Sequence, residues 1–581
     1  MVNYKFFALG GLGEVGKNMY VFETDKDLYL IDIGSEKPSS DVNGFDALVP
    51  DFTYITEHID KLRGVFISRF GEKTTGAFHK IIRDLKVPFY ASKFTIEAIN
   101  RRYINNKENT DREDFNADDY KDIDFKVMEP NEVFEFEDSK IEAFKITTSV
   151  PDSFGFAIKI DVSEEGEEPN YKNCVYLPDC DLDQNVWGHF KTELNALAKI
   201  ADEGVVCLFS ASTGAPKMGH VTTDGNLDLA LRKLMAQDGR MFLLMDAENT
   251  SGILQVIDAA YVQKRHVTIV GHKARDLVEL AMELKYTRIN QNLYMKKEVL
   301  TDEKRNAKDS VIILAGERDD PFNFMSSIAR YEDKHFRIKN GDNVVLLLDV
   351  PKKYEKKLAR IWNEVLFNNV KLVDFDVNLI PVPMLGAEDL KIMYNLFSPK
   401  YIIPITGDFR MLKTQERIAL DYGYKKENII SIENGDVVTF RNTDFVNKDE
   451  KIETKEILFG MEVDSDINDF VAREREALTN EGFVVISGMI NLKERTFHGD
   501  VEIESSGFLS RYGQEEEFES IKKAFKDIVM THLRQRKVDY KELRQELKNE
   551  LSKKILKDTK KRPILIPVVV DISGSNTFLE K

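Results

Sequence analysis

Cysteine is nearly absent from this 581-residue chain, which carries only Cys174, Cys180 and Cys207. Three thiols make no disulfide framework, and their spacing matches no zinc knuckle, so a reducing, cytoplasmic setting is the simplest expectation. No run approaches the roughly 18 uninterrupted apolar residues of a spanning helix, and no membrane association is expected. The opening MVNYKFFALGG has no basic segment followed by a long apolar core, so no secretory leader is expected. Low-complexity tracts and internal repeats are also missing. Histidine is scarce: the nine are His58, His79, His189, His220, His266, His272, His335, His498 and His532. No two stand at the i, i+2 or i, i+4 spacing that brings two imidazoles to one metal. A net charge of −18 disfavours indiscriminate binding to phosphate backbones. Residues 534–562 run against that average, with twelve Lys or Arg against five Asp or Glu. That excess reads either as a solvated helix face or as a contact for nucleic acid or a partner, through Arg534, Arg536, Lys537, Lys560, Lys561 and Arg562.

What is present is enough for several cores. Hydrophobic residues make up 42% of the chain, and its length predicts three or four domains. Residues 4–9, 18–24 and 28–33 read as strands, the last two joined by an Asp25-Lys26-Asp27 turn. Gly11-Leu12-Gly13-Glu14-Val15-Gly16 satisfies a dinucleotide-binding pattern. That pattern needs a helix opening at the glycines, and Met19-Tyr20-Val21-Phe22 continues as strand, so the glycines read as a tight turn. Residues 106–122 form a polar, acidic excursion. From about 205 to 374 apolar strands at 206–209, 241–245, 267–270, 311–314 and 344–348 alternate with amphipathic helices such as 252–263 and 273–284, the pattern of a doubly wound layer. A charged run at 446–456 reads as a linker. Beyond it, strands at 483–486 and 564–570 enclose helices at about 515–532 and 540–557.

Several segments resemble the ribonuclease J family in order along nearly the whole chain: LGGLGEVGKNMYVFE, LYLIDIG, VPDFTYI, ITTSVPDSFGFAI, LPDCDLDQ, FSASTGA, LQVIDAA, EDLKIMYNLFSPKYIIPITGDFRML and RPILIPVVV. The resemblance implies an α/β architecture: a metallo-β-lactamase αββα sandwich with an inserted β-CASP α/β domain and a C-terminal α+β domain. The expected boundaries are 1–207 and 375–445 for the sandwich, 208–374 for the insert, and 457–581 for the last domain.

The family's chemistry needs two zinc-class ions that activate water and clamp the scissile phosphate. Its H-x-H-x-D-H signature falls on the loop Ser68-Arg69-Phe70-Gly71-Glu72-Lys73-Thr74. By position Arg69, Gly71, Lys73 and Thr74 stand at four ligand places, Thr148 at a fifth and Thr406 at the last. Asp179 alone keeps a ligand type, with Asp32 nearby. Ala211 replaces an acidic residue ahead of Ser212-Thr213, and the phosphate-gripping histidine loop falls on Ile380-Pro381-Val382-Pro383-Met384, with Met384 in place of the grip. The resemblance with six of seven ligands replaced implies a non-catalytic subunit of RNA processing and decay, without a metal cofactor. Its expected partners are further copies of itself or a catalytic ribonuclease J paralogue, and RNA. Two alternatives stand beside this: a ribonuclease using a non-standard set of two Zn or Mn ions, and an RNA-binding scaffold. Arg69 and Lys73 are further expected to neutralise Asp179 or Asp32 in the metals' stead.

Overall fold

The computed structural model describes residues 2–36, 47–104, 120, 123–164, 166–182, 191–221, 226–287, 294, 300–350, 352–380, 382–459, 478, 481–508, 514–535 and 538–573. The charged excursion at 106–122 lies almost wholly outside them. Contacts divide the chain into two compact units, residues 1–36 with 49–456, and residues 37–48 with 457–581.

In the first unit two sheets lie face to face. One has eight strands in the order Asp444–Lys451, Asp436–Arg441, Asn3–Gly10, Met19–Thr24, Leu28–Ile31, Leu62–Phe66, Phe89–Ala91 and Phe125–Val127. The other has six: Tyr401–Ile405, Val205–Ala211, Tyr171–Leu177, Ser153–Asp161, Ser139–Ile146 and Val133–Glu135. The alternation of side chains along Asn3–Gly10 sends Tyr4, Phe6 and Ala8 between the sheets, where Phe6 stacks on Phe209 at 3.8 Å between ring centroids. Phe7 points the other way, edge-on to Tyr54. Strands buried on both faces read as continuous apolar runs, which is why this sandwich lacks clean alternation in sequence. Helices cover the outside. Phe78 of Phe78–Asp84 meets Phe89 on one flank, and Leu194–Asp202, Ala387–Phe397 and Phe409–Tyr422 pack the other.

The insert is a five-stranded parallel sheet in the order His266–Val270, Ser310–Gly316, Met241–Asp246, Asn343–Leu346 and Lys371–Val373. Its helices include Thr250–Val262, His272–Glu283, Asp320–Ala329 and Glu355–Phe367. At the amino end of the central strand, Arg240 is almost completely buried and pairs with Asp342 at 2.5 Å, while also donating to the carbonyls of Arg305 and Arg337.

The second unit holds a three-stranded sheet: Phe483–Asn491 runs antiparallel to Thr496–Ser506 and parallel to Ile564–Asp571. Helices Gln514–Leu533 and Tyr540–Thr559 bury Phe525, Val529, Leu547 and Leu551 against one face. The edge strand Thr496–Ser506 is not expected from sequence, because its charged residues mask the pattern.

The expected linker also needs correction. Much of 446–456 belongs to the edge strand Asp444–Lys451, paired to Asp436–Arg441. Backbone hydrogen bonds and one apolar anchor, Phe445 against Phe440 and Tyr401, hold it, while its charged side chains stay solvated. The turn reading of the early glycines holds: Gly11 and Gly13 have φ of 96° and 77°, and strand Met19–Thr24 follows. Among the described residues no helix is long and apolar enough to cross a membrane.

Replacing Arg240 by Ala should destabilise the insert by about 3–5 kcal/mol, because Asp342 is left as a buried charge without its cation. The double variant with Asp342→Asn should cost little more than the single one in urea unfolding. Additive losses would contradict this account.

Candidate functional site

Parallel strands place the candidate residues at one edge of the sandwich. Leu177 pairs with Ser210, and Ala211 with Ile405, so Asp179, Ala211 and Thr406 leave the carboxyl ends of three adjacent strands. Asp32 follows Leu28–Ile31 and Ser68 follows Leu62–Phe66, on the facing sheet. The loop carrying Thr148 joins them, since the Phe154 N–H donates to the Ser68 carbonyl at 2.8 Å. Met384 lies against Gly214, two residues beyond Ser212.

Hydroxyl groups dominate this edge. Asp32 is fully buried in the left-handed region (φ 58°). Its carboxylate accepts from the Ser68 N–H at 2.8 Å, the Ser68 hydroxyl at 2.8 Å and the Tyr176 hydroxyl at 2.7 Å. Burial pushes its pKa up to about 6, although these donors and the charge of Arg69 pull the other way. Asp179 accepts from the Thr213 hydroxyl. Thr406, also left-handed at φ 51°, shares a 2.7 Å hydrogen bond with Tyr20, whose ring lies 5.6 Å from that of Tyr176. Thr148 closes a local turn, accepting from the Val150 N–H and bonding to Ser153 at 2.6 Å. Thr74 donates to the Arg69 carbonyl at 2.7 Å, fixing the loop upon itself.

The expected neutralisation of Asp32 or Asp179 by Arg69 or Lys73 does not occur. Both cations are partly buried, yet among the described residues neither forms an ion pair or side-chain hydrogen bond. Three neutral donors already satisfy Asp32, and Thr213 occupies Asp179, so the carboxylates are held without a cation.

A second set of charges, which the sequence reading missed, ties the loop to the insert. Glu248, just past the central insert strand Met241–Asp246, accepts from the Glu72 N–H at 2.8 Å. Arg102 lies on a single π-helical turn, Asn100–Ile104; it pairs with Glu317 at 2.8 Å, reaches Glu248 at 3.9 Å and sits 5.7 Å over the Phe70 ring. Lys273 completes the Glu317 pair at 2.7 Å, and Arg318 lies 3.9 Å from Glu72. Asp246 is exposed and accepts the Glu248 N–H at 2.7 Å, and neighbouring protein with repulsion from Glu248 and Glu317 raises its pKa against the pull of Lys73. Acidic residues directly after an apolar strand of a parallel sheet were the available signal, since such sheets place ligands at their carboxyl edge.

Among the described residues no group of three or more His, Cys, Asp or Glu is placed to hold a metal ion. His220 bonds to buried Asp389 at 2.7 Å, and His189 lies outside the described residues. The named residues of the basic stretch that are described lie at its two ends. Arg534 ends one helix of an antiparallel pair, whereas Lys560, Lys561 and Arg562 follow the far end of the other, about 30 Å away for 20 residues. Arg536 and Lys537 lie outside the described residues.

A two-sheet sandwich with helices on both outer faces and a doubly wound parallel insert is the architecture of metallo-β-lactamase proteins of the β-CASP type. The ribonuclease J β-CASP domain matches residues 238–364, and the ribonuclease J C-terminal domain matches residues 470–572. Over 570 residues, 98% of both chains, the protein is 28% identical to Ribonuclease J 2 of Staphylococcus aureus. It is 27% identical to Ribonuclease J 2 of Staphylococcus epidermidis over 574 residues, again 98% of both chains. A solved protein of unknown function from Enterococcus faecalis V583 is 12% identical with a TM-score of 0.48, over 76% of this chain and 100% of that one. Along nearly its whole length the chain is thus similar to ribonuclease J proteins.

Asp32 has a pH signature with a defined sign. Its folded pKa lies above the ordinary aspartate value, so its contribution to stability is fully present below about pH 4 and is lost as pH rises through about 6. Asp32→Asn should therefore gain on the wild type by on the order of 3 kcal/mol between pH 4 and pH 7. Denaturant unfolding at the two pH values measures this, and a pH-independent difference would refute it.

Proposed function

We propose that this protein is a ribonuclease J-family subunit that has lost its metal site and acts without catalysis in RNA processing and decay. One observation carries the reading. The six positions where the resemblance calls for histidine or aspartate ligands bring Arg69, Gly71, Lys73, Thr74, Thr148 and Thr406 to one edge of the sandwich. None of these is a usual ligand for a zinc-class ion. Two carboxylates remain, Asp32 and Asp179, and both are engaged by protein donors. Water without such ions stays near a pKa of about 15.7 rather than about 7, which removes hydroxide attack at neutral pH.

The fold retained around that edge supports a structural or regulatory role. Such a subunit would assemble with further copies of itself or with a catalytic ribonuclease J paralogue, holding RNA or stabilising the enzyme that cleaves it. The C-terminal unit has its own core of packed helices and sheet, which supports an assembly role.

Purified protein should contain no stoichiometric zinc or manganese by elemental analysis. It should leave 5′-monophosphorylated RNA intact after either ion is added, and Asp179→Ala should change neither result. About two ions per chain, with hydrolysis that the Asp179 variant abolishes, would replace this reading with that of an active nuclease.

A further inference from the structure

The pair Asn-Gly occurs three times in the chain, at Asn43-Gly44, Asn340-Gly341 and Asn434-Gly435. Each is a chemical weak point, because glycine has no Cβ to keep its backbone nitrogen away from the carbonyl carbon of the preceding side chain. Whether that nitrogen attacks depends on what holds it and on what holds the side-chain amide. The first pair lies outside the described residues, and the other two are held very differently.

Asn434 is tied at both ends of its amide. The Leu12 N–H donates to its Oδ1 at 3.1 Å, and its Nδ2 donates to Glu14 at 3.3 Å. The Gly435 N–H donates to the Ala8 carbonyl at 2.8 Å, so the nucleophilic nitrogen is engaged as well. Asn340 is exposed, and among the described residues neither its side chain nor the Gly341 N–H makes a hydrogen bond. Gly341, at φ 84°, faces open space, with no atom within 4 Å of where a Cβ would stand.

The place of this turn gives the reaction a consequence. Asn340 and Gly341 are the central residues of a turn closed by the Asp342 N–H on the Lys339 carbonyl at 3.1 Å, and Gly341 takes the positive φ that a type II turn needs there. The same turn presents Asp342, whose carboxylate accepts the Lys339 N–H at 2.7 Å and pairs with buried Arg240 at 2.5 Å. Strand Asn343–Leu346 starts at the next residue. The turn lies at the amino end of the insert sheet, away from the edge that faces the sandwich loop, and is independent of how that edge is read.

We propose that Asn340 is a site of spontaneous modification, deamidating to an isoaspartyl linkage that unseats Asp342 from Arg240 and weakens the insert as the protein ages. The Gly341 amide nitrogen gives its proton to hydroxide and attacks the side-chain carbonyl carbon of Asn340. The bond to Nδ2 breaks, the leaving nitrogen takes up a proton and departs as ammonia, and a five-membered succinimide is closed. One water then opens the ring. Attack at the backbone carbonyl leaves an isoaspartate, whose main chain runs through the side-chain carbon and is one atom longer; attack at the other carbonyl leaves an aspartate. A longer main chain inside a four-residue turn has to move Asp342, whereas the added charge alone points into solvent.

The test ages full-length protein for days at about pH 8 and about 37 °C and follows each Asn-Gly pair by peptide mapping. Asn340 should gain about 1 Da, and its product should accept methyl groups from an isoaspartyl methyltransferase. Reaction there should be at least about tenfold faster than at Asn434, whose hydrogen bonds must open first. Aged wild type should unfold at lower urea than fresh protein, with faster hydrogen exchange in strands Met241–Asp246 and Asn343–Leu346. Asn340→Gln, whose longer side chain closes a ring far more slowly, should keep its urea midpoint on ageing. Asn340→Asp, which adds the charge without the extra atom, should unfold as fresh wild type does. The proposal is overturned if Asn340 reacts no faster than Asn434, or if it yields aspartate without isoaspartate. Isoaspartyl protein that unfolds and exchanges as fresh protein does, or an ageing loss that persists in Asn340→Gln, overturns it too.

Discussion

The buried carboxylate of Asp32 is the constraint on which the candidate site is built. It lies at the end of an interior strand, in a conformation uncommon for a non-glycine residue, and is satisfied by Ser68 from one neighbouring loop and Tyr176 from the facing sheet. One acceptor therefore joins both sheets at the edge where the site opens. Because Ser68 begins the loop containing Arg69, Gly71, Lys73 and Thr74, fixing Ser68 fixes where that loop departs. The Thr74 hydroxyl then closes the loop on itself, and Glu248 holds its Glu72 N–H from the insert. The geometry descends from a buried carboxylate made tolerable by neutral donors, at the cost of an ionisation pushed toward neutrality.

That arrangement explains why no cation was needed where one was expected. Charge counting on the sequence treats Asp32 and Asp179 as two negative charges left behind by departing metals, and Arg69 and Lys73 as their replacements. Hydrogen bonds to hydroxyl and amide donors do the same work without a second buried ion, and they avoid its desolvation. Tyr20 and Thr406 follow the same logic on the opposite strand ends, pairing with each other. A hydroxyl network thus holds this edge, and Arg69 and Lys73 stand beside it without entering it.

Much of the fold was legible because its signals are local. The interior strands are long apolar runs, the insert alternates strand and amphipathic helix, and the glycine turn is followed by strand where a cofactor fold would have helix. Legibility failed where charged side chains sit on backbone-paired strands: Asp444–Lys451 and Thr496–Ser506 are held by ladders and a few anchors, which composition does not reveal. At the site, residue types were readable and partners were not. Ser68 and Tyr176 are ordinary residues in sequence, 36 and 144 positions from Asp32, and only the sheet register brings them to it. Arg102, Glu248 and Glu317 are likewise scattered, and their meeting depends on how the insert docks.

Docking of the insert also bears on what the cleft admits. The contacts from Glu248 to Glu72 and from Arg102 to Glu317 hold the insert against the loop that carries Arg69 and Lys73. These contacts consume the carboxylates that would otherwise repel a polyanion, so closing the cleft and clearing it of unbalanced negative charge are one event. A chain whose net charge is −18 cannot rely on long-range attraction to gather RNA. At the sandwich edge hydroxyl and amide donors hold Asp32 and Asp179, arginine and lysine hold Glu317, and Asp246 stays exposed with the Glu248 N–H as its hydrogen bond, so the negative charge there is partly spent and partly open to solvent.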